Sequence, residues 1–158
     1  MRHYESDVLV KAEPEAVFAF IDDHERFSSH MNSSSWMMAG SRMETSVDDQ
    51  HGRAVGSHIR MAGRVLGKHL SLDEVVTVED PPRRKAWETV REPDLLVVGN
   101  YAMAVTVEPL AGASLVTVGI DYDLPRRRRW LGRLLGGWYA RWCVGQMTKG
   151  VTREFAIH

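Results

Sequence analysis

The sequence predicts an α+β fold in which a strongly curved antiparallel β-sheet of about seven strands wraps around one long C-terminal helix, with two short helices after the first strand. Three observations lead there. Within Pro125 to His158, Trp130, Leu131, Leu134, Leu135, Trp138 and Trp142 recur at spacings of three and four, the period of an amphipathic helix. Between Trp36 and Leu124 six apolar segments alternate with turn chemistry, and links that short leave no room for helical crossovers, so the strands pair antiparallel. The terminal helix is the only long one, and a stripe so rich in tryptophan is expected to be covered by the sheet.

Each element has a local reason. His3 to Lys11 carries Val8, Leu9 and Val10 and reads as a strand. Ala12-Glu13-Pro14 starts a helix, because proline suits the first turn and Glu13 and Glu15 complement its positive end. Val17, Phe18, Phe20 and Ile21 give that helix an apolar face, and Asp22-Asp23 breaks it before a second short helix holding Glu25, Arg26 and Phe27, extending toward His30 and Met31. After the polar Asn32-Ser33-Ser34-Ser35, strands are expected at Trp36 to Val47, Arg53 to Leu66, His69 to Glu79, Arg83 to Arg91, Leu95 to Pro109 and Ser114 to Leu124. Asp48 to Gly52, Gly67-Lys68, Asp80-Pro81-Pro82, Glu92-Pro93-Asp94 and Ala111-Gly112 separate them.

A chain of 158 residues is expected to form one domain over 1–158, with 44% hydrophobic and 26% charged residues in the globular range. A formal net charge of -1 argues against general affinity for nucleic acid or anionic lipid. The single cysteine, Cys143, excludes an internal disulfide and a multi-cysteine zinc site, and reads as a packing thiol. No export signal is expected from Met1 to Asp7, and Leu134 to Ala140 is far shorter than a membrane span, so a cytoplasmic protein is expected.

The stretch Ala12 to Asp22, with Pro14, Val17, Phe18 and Ile21, is similar to the helix entry of the START-like, or SRPBCC, superfamily of helix-grip proteins. Val76 to Glu88, in which a strand ends at Pro81-Pro82 and the next begins with Arg83-Arg84-Lys85 and Trp87, resembles the same superfamily's hairpin. So does the helix that follows Tyr122-Asp123-Leu124-Pro125. The resemblance, which extends to the polyketide cyclase/dehydrase and lipid-transport-like branch, implies the helix-grip architecture and a ligand cavity between sheet and helix. It implies no particular reaction.

Binding or transport of a small hydrophobic or aromatic ligand or lipid is therefore the leading expectation, with Met31, Ile59, Met61, Trp87, Tyr101, Met103, Leu134, Leu135, Trp138 and Trp142 as lining residues. In the second strand of the sheet Val55, Ser57, Ile59 and Met61 are expected to face inward; in the fifth, both parities are apolar and the register stays open. The alternative is a polyketide cyclase/dehydrase-like enzyme, for which His58, Arg60 and Tyr101 are the candidate catalytic residues, with His30, Asn100 and Glu88 as further polar groups. A third reading is a protein-partner-binding module. No nucleophile elbow, phosphate loop, dinucleotide fingerprint or metal-binding histidine pair occurs, so no cofactor and no metal are expected. Arg126 to Arg129 reads as a solvated helix entrance, with membrane-surface contact through Arg126 to Trp130, an acidic partner and a homodimer left open; nucleic acid is not expected.

Overall fold

A computed structural model describes residues 2–27, 43–65, 68–90, 98–126 and 129–155. Seven strands, β1 (Arg2–Val10), β2 (Met43–Val47), β3 (His58–Val65), β4 (Lys68–Asp80), β5 (Arg84–Thr89), β6 (Tyr101–Leu110) and β7 (Ala113–Tyr122), form one antiparallel sheet in the order β1-β7-β6-β5-β4-β3-β2. Helices α1 (Pro14–Asp22) and α2 (His24–Phe27) follow β1, and α3 (Arg129–Glu154) closes the chain. This is the predicted helix-grip order. The helical segment begins at Arg129, and β6 begins at Tyr101, each a few residues later than the sequence pattern suggests.

The connections follow from local chemistry. Pro14 stands at the start of α1 with Glu15 in its first turn, and Asp23 ends it. In the β2–β3 connection the Asp48 carboxylate receives hydrogen bonds from the Ser57 hydroxyl at 2.5 Å and the His58 amide at 2.8 Å, which hold its pKa below the usual value. Gly112, with φ at 72°, allows the tight β6–β7 turn. At Gly99 a side chain would place its Cβ 2.8 Å from the Leu124 carbonyl, so only glycine lets these backbones approach.

Registers decide which residues face the helix. Trp87 lies opposite Met103, which lies opposite Ile120, and all three are buried in one cluster with Val105, Val107, Val116 and Val118. That cluster also takes in Val17, Phe18, Phe20 and Ile21 of α1, Phe27 of α2, and Ala140, Val144, Met147 and Val151 of α3. Phe27 meets Trp87 edge-on at 6.3 Å between ring centroids, a favoured aromatic geometry. A second cluster, Ile59, Met61, Leu70, Leu72 and Val76 of β3 and β4, receives Trp142 from α3.

The face that α3 turns to the protein differs from the expected one. Gly132, Gly136, Ala140, Cys143, Val144, Met147, Thr148 and Val151 are buried, whereas Trp130, Leu134, Leu135 and Trp138 are 65%, 72%, 37% and 49% exposed. The buried series also has helical spacing. Its small members let the helix approach β1 and β7, the strands nearest to it. Tryptophans on that line would hold the helix away. No helix among the described residues is long and apolar enough to cross a membrane.

Candidate functional site

The interior polar site is built where α3 stands away from the sheet. The helix comes close to β1 and β7, but its backbone is not similarly close to β3, β4 and β5, so long side chains span the interval. From β4, the alternation Leu70, Leu72, Glu74, Val76 turns all four side chains inward, and Glu74 is 1% exposed. From β6, Tyr101 donates its phenolic hydrogen to Glu74 Oε2 in a short hydrogen bond. From α3, Tyr139 and Cys143, one turn apart, bring a phenol and a thiol to the same region. Tyr139 and Trp142 hold their rings 5.7 Å apart at a tilt of 36°.

Burial governs the proton chemistry here. It pushes the Tyr101 phenol well above its ordinary value, with the Glu74 charge and hydrogen bond adding to the effect. Tyr139 is also raised, first by burial and then by Cys143. The Cys143 thiol is pushed up to about 12, chiefly by burial, with Tyr139 opposing and Glu74 contributing. Both tyrosines therefore stay neutral and can donate hydrogen bonds, Cys143 is a packing thiol and not a nucleophile, and Glu74 supplies the acceptor. The arrangement can orient a guest that carries a polar group on an otherwise apolar body.

The candidate catalytic residues are not brought together. Ile59 faces inward, so the pleat sends His58 and Arg60 to the opposite face, where His58 Nδ1 lies 3.1 Å from Asp73 Oδ1 and Arg60 Nε lies 3.8 Å from Asp73 Oδ2. Arg60 is 70% exposed. Only Tyr101 of the three reaches the interior. Ser57, Ile59 and Met61 are inward as expected, but Val55 is exposed. Trp87 and Met103 belong to the main core and Trp142 to the second cluster. Leu134, Leu135 and Trp138 are corrected to the outer side of α3, for the packing reason given above. Asn100 and Glu88 are exposed, Asn100 accepting a hydrogen bond from Thr89 at 2.9 Å. Met31 and His30 lie outside the described residues. Sequence reasoning missed Glu74, although an acid at an inward position between Leu72 and Val76 was the signal that could have found it.

Two other polar groupings lie apart from this site. Near the end of α1, Lys85 is fully buried and donates to Asp22 Oδ1 at 3.0 Å, tying helix to sheet. Glu79, opposite Lys85 in the β4–β5 register, is raised to about 8 by burial and Asp22, with Lys85 opposing. On the face away from α3, a depression of about 320 Å³ is lined by Ala86, Ala102, Ala104 and Gly119 together with His3, Asp121 and Arg84. His3 Nδ1 and Asp121 Oδ1 are 2.7 Å apart, and this hydrogen bond raises the histidine pKa. This depression is not the interior cavity that the sequence leads one to expect. Among the described residues no three His, Cys, Asp or Glu side chains converge in a group able to hold a metal ion.

Residues 1–153 match the family model described as polyketide cyclase / dehydrase and lipid transport. No curated protein matches the sequence significantly. Among solved structures, a protein from Thermus thermophilus superposes with a TM-score of 0.70 at 16% identity, covering 98% of this chain and 97% of that one. Truncated norcoclaurine synthase from Thalictrum flavum gives 0.69 at 14% identity, covering 99% and 94%. Major latex-like protein 151 of Panax ginseng gives 0.61 at 13% identity, covering 99% and 98%. At these identities the structural likeness establishes the shared fold.

Proposed function

The chain belongs to the polyketide cyclase/dehydrase and lipid transport family, and from that membership we propose that it binds a small hydrophobic or aromatic molecule, or a lipid, between the curved sheet and α3. The observation that carries this reading is the pairing of buried Glu74 with half-buried Tyr101 where the helix backbone stands away from β3, β4 and β5. Ile59, Met61, Leu72, Val76 and Trp142 supply the apolar surroundings. The carboxylate and the neutral phenols fix the guest's polar end, while methionine and tryptophan adapt to its body. Native mass spectrometry of gently purified protein, with titration of an environment-sensitive apolar dye, tests the proposal. A retained small molecule or saturable dye uptake is expected. Neither being seen would count decisively against a binding cavity.

A second reading, a cyclase/dehydrase-like enzyme, draws support from the same pair. A buried carboxylate can accept a proton from a ligand hydroxyl or activated carbon, and the neutral Tyr101 hydroxyl can donate to a carbonyl oxygen. Catalysis would then be mainly orientation of a flexible chain, with His58 and Arg60 outside the reaction. If turnover of a genuine substrate survived Glu74→Gln and Tyr101→Phe unchanged, this second reading would fail.

A further inference from the structure

We infer that the outward strip of α3 docks the protein on the surface of an anionic lipid bilayer. Trp130, Leu134 and Trp138 stand at successive four-residue steps, with Leu135 beside them, and each is at least one-third exposed. At 100° per residue this strip lies roughly opposite the buried line of Gly136, Ala140 and Val144. Single exposed leucines need no explanation. A contiguous strip with two exposed tryptophans does, because those side chains belong at a boundary between water and an apolar phase.

The charges beside the strip select the kind of boundary. From Arg126 to Arg141 the chain carries six arginines and no aspartate or glutamate, although the whole protein has a net charge of only -1. Arg126, Arg129 and Arg133 are exposed at the end of α3 where Trp130 and Leu134 emerge. Arg141, farther along, lies over the Tyr4 ring at 5.6 Å, so the cationic surface is concentrated toward the helix start. The first turn of α3 contains no acidic residue, and positive side chains there meet the positive end of the helix dipole. Lipid phosphates and carboxylates complement that field, while the tryptophans and leucines enter the headgroup boundary.

A second copy of the chain is a poorer occupant, since a symmetric contact through this strip would set against each other two surfaces that carry arginines and, between Arg126 and Arg141, no acidic side chain. No helix among the described residues is long and apolar enough to cross the bilayer, which leaves the strip lying in the interface. This surface is separate from the interior site, and the inference does not depend on what that site binds.

Flotation of the full chain with phosphatidylcholine vesicles, with and without roughly one-third phosphatidylserine, tests it. Co-flotation is expected with the anionic vesicles only, accompanied by a blue shift of tryptophan emission, and about 0.5 M salt should reduce it severalfold by screening. The combined change Trp130→Ser, Leu134→Ser and Trp138→Ser should abolish binding, with circular dichroism and melting reporting that the fold persists. Should that variant fail to fold, Arg129→Gln with Arg133→Gln serves instead and should weaken vesicle binding by roughly thirtyfold. Absence of flotation, equal flotation with neutral vesicles, or binding unchanged by a folded variant overturns the inference. So does a strip that mediates self-association or capture of an acidic protein while vesicles are ignored.

Discussion

Leu134 and Val144 occupy the same helix and meet opposite surroundings: Leu134 is 72% exposed, and Val144 is fully buried in the main core. The difference between the two halves of α3 lies in side-chain size along the line that faces the sheet. Gly132, Gly136 and Ala140 permit close approach, and Val144, Met147 and Val151 then fill the main core. The larger Trp130, Leu134 and Trp138 are carried to the other side. A stripe of large apolar residues thus marks a helix dependably, but the face that packs is chosen by how near its backbone must come to the sheet.

Substitutions can break this contrast. The largest effect is expected for Val144→Asp, which places a carboxylate in the core and should cost more than about 4 kcal/mol or abolish folding, as urea denaturation would show. Tyr101→Phe removes a donor from the buried Glu74 carboxylate and should cost about 1.5–3 kcal/mol in the same measurement. Glu79→Gln tests the charged cluster beneath α1. Because the folded-state pKa is raised from 4.5 to about 8, the folded protein keeps a proton that the unfolded chain has lost. The Glu79 contribution to stability is therefore fully present below the unfolded value and is lost as pH rises toward about 8. The glutamine variant should lose that slope and gain on the order of 1 kcal/mol at the alkaline end, after allowance for solvent screening. The smallest effect belongs to Leu134→Ser, which should change stability by no more than about 0.5 kcal/mol.

The sheet was legible because its punctuation is chemical. Asp80-Pro81-Pro82 and Ala111-Gly112 mark turns that the structure places between β4 and β5 and between β6 and β7. The parity of Ser57, Ile59 and Met61 was legible too, since their neighbours His58 and Arg60 are polar. In β6 both parities are apolar, and only pairing with Trp87 and Ile120 sends Met103 inward. The inward carboxylate was obscured for a related reason. Glu74 belongs to Asp73-Glu74, and which of two adjacent acids is buried depends on the register with Ile59 and Arg60. The helix face was misjudged because two interleaved series satisfy the same period, and size alone favoured the wrong one.

The most direct measurement is an apolar-dye titration of three proteins in parallel: the parent chain, Tyr101→Phe, and Trp130→Ser with Leu134→Ser. Binding between the sheet and α3 predicts saturable one-to-one uptake, weakened about fivefold to tenfold by the first change and unmoved by the second. Uptake that never saturates, or that ignores Tyr101→Phe and disappears with Trp130 and Leu134, would contradict an interior site.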